Sequence, residues 1–507
     1  MLRQLHHIKF WPPFLFLSIT IGFSLIYEDS FLKWLQSVNN SLLSHFGWVF
    51  SWGALFFLLI LFIIYWSPVS KMRIGGPTAQ PMLSRWKWFS ITICTTIATG
   101  ILFWGTAEPL YHLNQPPEAL GFQAGGLQAR NFAMSSMFMH WTFTPYGIYT
   151  LAGLVFAISY YNKNQPFQIG SLLFPVVGSK SQHQIGTIAD IICLYSLIAG
   201  MSASLGAGIL TIAGGLHHVL DIDNNTILLG IIGFLILITF IISAASGLMK
   251  GIRILSDFNL KIFFVLAAIF LFAGPMTSLL EIGFGGLIEY LVNFFPRSIN
   301  WGDELGAQWF QSWTIFNWAN WLAWTPITAL FLGKLSVGYT VREYIHINLV
   351  FPALFGALWM IIFSGTALYT DLENNGQLFQ MLQSTGPEVV IYQLIDNIPF
   401  STIITGFFLL VTFISYVTAA DSNTSAMSNI CTKGITPDHP ESPLYIKVAW
   451  GLIIGLIAWI MITFAGIDGI KMISVLGGFP ALIIMLFVAI GALRIVLNSF
   501  KTDKLPE

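Results

Sequence analysis

Trp313-Thr314-Ile315-Phe316-Asn317-Trp318-Ala319-Asn320-Trp321-Leu322-Ala323-Trp324-Thr325-Pro326 carries no charged side chain, and the apolar character continues to residue 333. A stretch of about 20 such residues is long enough to cross a bilayer as a helix. This is not ordinary lipid-facing sequence, because asparagines, hydroxyls and a proline are threaded between Trp318, Trp321 and Trp324. Backbone in hydrocarbon must find its hydrogen-bond partners within the protein, so such residues mark a span distorted against protein or a water-lined cavity. Thr95-Thr96-Ile97-Ala98-Thr99-Gly100-Ile101-Leu102-Phe103-Trp104-Gly105-Thr106-Ala107-Glu108-Pro109 shows the same mixture.

The rest of the chain gives these two segments their setting. Charged residues are 9%, against about 25% in soluble domains. Apolar residues are 55%, and the mean hydropathy is +0.74. A 507-residue chain with so little charge cannot cover its surface for water, so lipid is the expected solvent. Twelve runs are long and apolar enough to span, at 11–28, 47–66, 88–109, 133–160, 187–215, 226–249, 259–280, 313–333, 346–369, 398–420, 445–466 and 471–497. The expected fold class is an all-α polytopic membrane protein of twelve transmembrane helices. The first run is read as a span rather than a signal peptide, because Glu28-Asp29-Ser30-Phe31 offers no small-residue cleavage site.

Charge placement tests the count. With the N-terminus inside, the outer segments hold only Lys33, Arg130, Arg297 and Lys471 of the 22 basic residues, as expected when cytoplasmic loops carry the Lys and Arg. A missed or invented span would invert every later loop. The reading therefore puts both termini in the cytoplasm. Ile282 to Val292, in the outer segment 281–312, is too short to span and amphipathic, which suits the outer interface. The outer loop 370–397 is expected to fold as a small cap. Cys94, Cys193 and Cys431 show neither a disulfide framework nor zinc-type spacing. The net charge of −1 leaves no footprint for nucleic acid.

The two irregular runs are the third and the eighth. Inverted-repeat transporters bind solute where two such helices meet near the midplane. Setting aside 1–87, with its two N-terminal helices, leaves ten. They divide into 88–280 (helices 3–7) and 313–497 (helices 8–12), separated by 281–312 and followed by the tail 498–507. Each half then opens on an irregular helix. Gly and Pro are also common in membrane helices generally, so spacing alone leaves both readings open.

Helix 4 carries Trp141, Tyr146 and Tyr149 near one face, and helix 8 carries Trp318, Trp321 and Trp324 at three-residue spacing. Ring faces attract quaternary ammonium groups, which have no N–H to donate. The competing reading is packing or an interfacial aromatic belt. Two such stripes on helices of one repeat scheme weaken that competing reading and leave both open.

At these residues the chain resembles the betaine/carnitine/choline transporter family. The segment 313–326 is similar to that family's signature, continuing into Gly333-Lys334 and Gly338-Tyr339-Thr340-Val341-Arg342-Glu343-Tyr344-Ile345. Phe103 to Leu110, His140-Trp141, Pro145 to Tyr149, Ser204-Leu205-Gly206 and Ala420-Asp421-Ser422 add matches in order along the chain. The resemblance implies a LeuT-type five-helix inverted repeat in helices 3–12, a homotrimer, and symport coupled to Na+ or H+, or exchange. It implies a substrate box of Trp141, Tyr146, Tyr149 and Trp321, with Trp324 as a second aromatic station. Trp318, Asn320, Ala98 and Gly100 join the expected substrate site. Asn320 stands where the family often has tryptophan, and 96–100 has fewer glycines and more hydroxyls, which suits a hydrogen-bonding zwitterion. For sodium, Thr95, Ala98, Ser415 and Thr418 are the expected ligands. Ala419 stands in a serine's place, and Ser202 and Ser204 are candidates for a second ion.

Ionisable residues within spans are functional candidates. Glu108, at the broken end of helix 3 or in the outer vestibule, and Asp421, at the inner end of helix 10, are the expected gates. Asp190 is read as a helix cap, His140 as a packed, hydrogen-bonded histidine, and Arg342-Glu343 as an ion pair. The expected activity is import of a small quaternary ammonium or zwitterionic solute (betaine, choline, carnitine or a related compound) by alternating access across a bacterial inner membrane. No cofactor is expected beyond the coupling ion, and the expected partners are the solute and the lipid bilayer. The rivals are an amino-acid or sulfonate symporter of the same fold, a channel, and a membrane enzyme. The last lacks metal-ligand clusters, HExxH and phosphate loops in the sequence.

Overall fold

A computed structural model describes residues 5–96, 100–245, 249–299, 304–433 and 442–501. Among them every regular element is helical, and the only extended pairings are the isolated bridges Leu5–Thr432 and Arg73–Thr340. Among the described residues nine helices are long and apolar enough to cross a membrane: His7–Ile26, Glu28–Trp66, Leu127–Asn162, Gln184–Leu220, Thr226–Ser243, Met276–Ser298, Val341–Glu373, Ser401–Ile430 and Leu444–Phe500. Their outward faces carry large apolar side chains such as Ile227, Ile242 and Phe284, a surface that suits hydrocarbon and not water. The protein is a polytopic membrane protein.

The remaining expected runs lie in shorter or fused helices. Arg85–Thr96 and Gly100–Asn114 flank positions outside the described residues. Phe316–Lys334 is helical through Pro326, and the irregular backbone lies before it, in a π-turn at Gln311–Ile315. Two further expected runs occupy Leu444–Lys501, where Gly466 takes a left-handed conformation (φ 52°) that favours glycine. Leu127–Trp141 and Phe143–Ala157 meet at Thr142 (φ −122°, ψ −117°). Pro145 has no N–H for the Trp141 carbonyl, so the helix breaks beside the first ring of the expected box.

The long helix Leu444–Lys501 runs along Gln184–Leu220 and Phe316–Lys334, and Phe316–Lys334 packs on Phe143–Ala157. At Gly478 an added Cβ would sit 2.3 Å from the Ala319 carbonyl oxygen, so backbone touches backbone there. Ser364 donates to the Gly105 carbonyl (2.5 Å), tying Phe351–Glu373 to Gly100–Asn114.

Several sequence expectations are corrected. The segment read as too short to span belongs to Met276–Ser298, a continuous 23-residue helix. It turns Leu279, Ile282 and Tyr290 inward and leaves Phe284, Leu291 and Val292 exposed. Asp190 does not cap its own helix. It lies inside Gln184–Leu220, pairs with Lys9, and accepts the Ile169 and Gly170 N–H groups. Arg342 and Glu343 do not pair with each other. Glu343 closes a capping box with Thr340 and pairs with Arg85, whereas Arg342 reaches Ser70 and lies over Tyr65. Residues 370–397 form short helices, Gln377–Thr385 and Val390–Asp396. Asp371 anchors them by accepting from Asn114 and the Phe379 N–H (2.8 Å each), and Tyr392 donates to the Thr211 carbonyl (2.6 Å).

Candidate functional site

Three helices bring the aromatic residues together, with Trp321 at the hub. Tyr149 lies 5.0 Å from it, Tyr146 5.3 Å and Trp141 5.9 Å, centroid to centroid, with the rings steeply inclined. Such edge-to-face pairs are each worth about 0.5–1.5 kcal/mol beyond area burial. All four rings are buried. Gly100 makes room for Trp141, since a Cβ there would stand 3.0 Å from the Trp141 ring. Among the described residues the buried Trp321 indole N–H has no partner.

These rings border a cavity. Of the expected site residues, Trp141, Tyr149, Asn320, Trp321, Trp324, Gly100, Thr95 and Ser204 line it, joined by Thr96, Trp104, Phe316, Ala419 and Ile470. The Ser474 hydroxyl donates to the Asn320 side-chain Oδ1 (3.3 Å). Tyr146 touches Trp321 from behind the lining. Trp318 stands off the cavity, its ring 5.9 Å from that of His140. Ala98 lies outside the described residues.

Several hydroxyls expected around sodium have partners within the protein. Thr418 donates back to the Ile414 carbonyl (2.7 Å), Ser415 accepts from the Asn259 amide (2.7 Å), and Ser202 donates to the Ile454 carbonyl (3.2 Å). Asp421 is buried and accepts from Ser243 (2.7 Å).

Glu108 does not look out on an open vestibule. It is fully buried and organises a cluster behind the box. Its Oε1 accepts from His140 Nδ1 (2.5 Å) and His112 Nε2 (3.2 Å), and its Oε2 accepts from Trp141 Nε1 (3.0 Å). His140 Nε2 meets the Thr314 hydroxyl (3.0 Å), on the π-turn. A carboxylate met by three N–H donors makes charge-assisted bonds, and here they fix the edge of a ring that lines the cavity. The residue reading singled out Glu108 and His140 separately and missed His112. The one local signal was Glu108 and His112 four residues apart in an apolar run.

Lys471 was also missed, having been counted as a loop residue. Its Nζ lies 3.7 Å above the Trp313 ring, 5.7 Å from Trp104 and 5.6 Å from Phe316.

Comparison with known proteins adds independent findings. The family model described as "BCCT, betaine/carnitine/choline family transporter" matches residues 9–501. An ectoine/hydroxyectoine transporter of Virgibacillus pantothenticus is 28% identical over 488 residues, covering 96% of this chain and 95% of that protein. A glycine betaine transporter of Bacillus subtilis is 28% identical over 494 residues, covering 96% and 94%. A high-affinity choline transport protein of Escherichia coli is 28% identical over 469 residues, covering 92% and 68%.

Proposed function

The chain belongs to the betaine/carnitine/choline transporter family, and from that premise we propose that it imports a small quaternary ammonium or zwitterionic solute by alternating access. It is a transporter and not an enzyme. The observation that carries the substrate class is the set of rings around Trp321 at the edge of the cavity. An onium group has no N–H, so ring quadrupoles suit it where hydrogen-bond acceptors do not. Asn320, Thr95 and Ser204 supply polar groups beside the rings for the rest of the solute.

In this proposal twelve helices span a bacterial inner membrane with both termini cytoplasmic, helices 3–12 form the LeuT-type inverted repeat, and three copies associate. Uptake is coupled to a cation, sodium or a proton. The two have different places available. Sodium would draw on oxygens around Thr95 and Ser204 at the cavity wall, and a proton would be held by Glu108 with His140 and His112. Either ion drives uptake only if it favours the solute-loaded carrier over the empty one.

Proteoliposome uptake tests the reading. Labelled glycine betaine and choline are offered under an imposed sodium gradient, an imposed proton gradient, or neither, with amino acids as competitors. Saturable accumulation of one onium compound under one of the gradients is expected. Accumulation of amino acids alone would replace this reading with the amino-acid symporter.

A further inference from the structure

Lys471 has a place in the site that neither the fold nor the family description assigns. A charged amine within a membrane span is costly unless something compensates it. Here the compensation is three ring faces, those of Trp313, Trp104 and Phe316. Rings answer the charge without supplying oxygen acceptors for the ammonium's three N–H donors. Among the described residues Lys471 makes no hydrogen bond and no ion pair. Asp468, three residues earlier, is exposed, and its field and that of Glu108 reach Lys471 from outside ion-pair distance. Glu108 is already engaged by His140, His112 and Trp141. Farther along the neighbouring helices, Asp371 is bonded to Asn114 and Phe379. Two of the three caging rings, Trp104 and Phe316, and the adjacent Ile470 line the cavity.

We propose that Lys471 is the receptor for an anionic group of the solute, so that the carrier selects zwitterions, with the onium among the rings around Trp321 and the carboxylate or sulfonate at Lys471, and rejects a simple cation such as choline. This rests on the transport function proposed above and narrows it. A carboxylate beside Trp104 and Phe316 would meet the ammonium's N–H donors from the cavity side, with Lys471 itself partly buried, and a charge-assisted bond there is strong. Choline brings a second cation and nothing to pair with the first, so it meets repulsion that a zwitterion does not.

The test compares reconstituted wild-type carrier with Lys471→Gln, Lys471→Met and Lys471→Arg, using labelled glycine betaine, its sulfonate analogue and choline. The wild type is expected to take up both zwitterions at least about tenfold more efficiently than choline, the scale of an unpaired buried charge. Lys471→Gln and Lys471→Met are expected to raise the zwitterion KM by at least about tenfold and to improve choline uptake, so the ratio of the two falls toward or past unity. Lys471→Arg keeps the cation and is expected to keep the preference. Choline carried as well as betaine by the wild type would overturn the assignment while leaving the onium reading intact. So would equal losses for all solutes in every variant, the mark of a structural lysine. If no onium compound is carried, the broader reading fails. Lys471 is then judged on the solute that is carried, by comparing its free acid with its amide, and equal uptake of these two overturns the assignment.

Discussion

Trp321 touches Trp141, Tyr146 and Tyr149 at once, so its removal opens the box from the centre. A desolvated cation–π contact is worth about 2 kcal/mol or more, which makes the expected loss in kcat/KM of Trp321→Ala at least roughly thirtyfold. Trp321→Phe should retain part of the activity because it keeps a ring face. Initial uptake rates across solute concentration check this, and an Ala variant with wild-type kinetics would place the solute elsewhere. These rings were legible because helical spacing states which residues share a face. The Glu108 cluster was not, since the partners that define it, His140 and Trp141, lie 32 and 33 residues away and only packing joins them. Lys471 escaped for the opposite reason. One lysine at the mouth of an apolar run reads as a loop charge until three rings from other segments surround it.

At the scale of elements, hydropathy located the apolar runs and left their irregularities misplaced. Pro326 sits in intact helix, while the distortion falls on the π-turn at Gln311–Ile315, which carries Trp313 and Thr314 to Lys471 and His140. A π-turn is one extra residue in a turn and has no composition of its own. The small cap also holds a feature that sequence does not reveal. Glu388, between Gln377–Thr385 and Val390–Asp396, loses solvent against the bundle, and desolvation lifts its carboxyl to about 7. A carboxyl whose pKa is raised on folding contributes stability that is fully present below its unfolded value, near 4.5, and lost as pH rises through about 7. Glu388→Gln removes that penalty. Its thermal midpoint in detergent is therefore expected to exceed the wild-type value at pH 8 and to approach it at pH 5. A constant difference across that range would mean that Glu388 stays solvated in the folded protein.

For the molecule as a whole, the N-terminal segment is sewn across distant parts of the chain. His6 donates to the Cys431 carbonyl (2.7 Å), and Lys9 pairs with the fully buried Asp190, which also holds the N–H groups of residues 169 and 170. Hydropathy showed that these segments lie in or beside the membrane, but not that they meet. Breaking a buried pair from one side strands the other charge, at a cost of about 3–5 kcal/mol. Asp190→Ala should therefore lower thermal stability sharply, while Lys9→Met with Asp190→Leu, which removes both charges, should recover much of the loss. Equal destabilisation by the two would assign the effect to packing instead.

The outer surface raises the last question of scale, whether copies associate. Met276–Ser298 fastens its polar residues to its own molecule through the Glu289–Arg297 pair and the Asn293–Glu289 bond, and leaves a row of exposed apolar side chains at Phe284, Leu291 and Val292. Lipid is as apolar as that row, so hydrophobicity alone selects no protein partner, and association must come from close van der Waals fit. A trimer built on this helix is therefore sensitive to shape rather than charge. Truncating Phe284, Leu291 and Val292 together to alanine is expected to shift a trimer to monomers in mild detergent, measured by light scattering after size exclusion, while solute binding by the monomer persists because the rings around Trp321 all come from one chain. A wild-type carrier that is monomeric in lipid nanodiscs removes the trimer. A trimer unmoved by the triple substitution removes this helix from the interface.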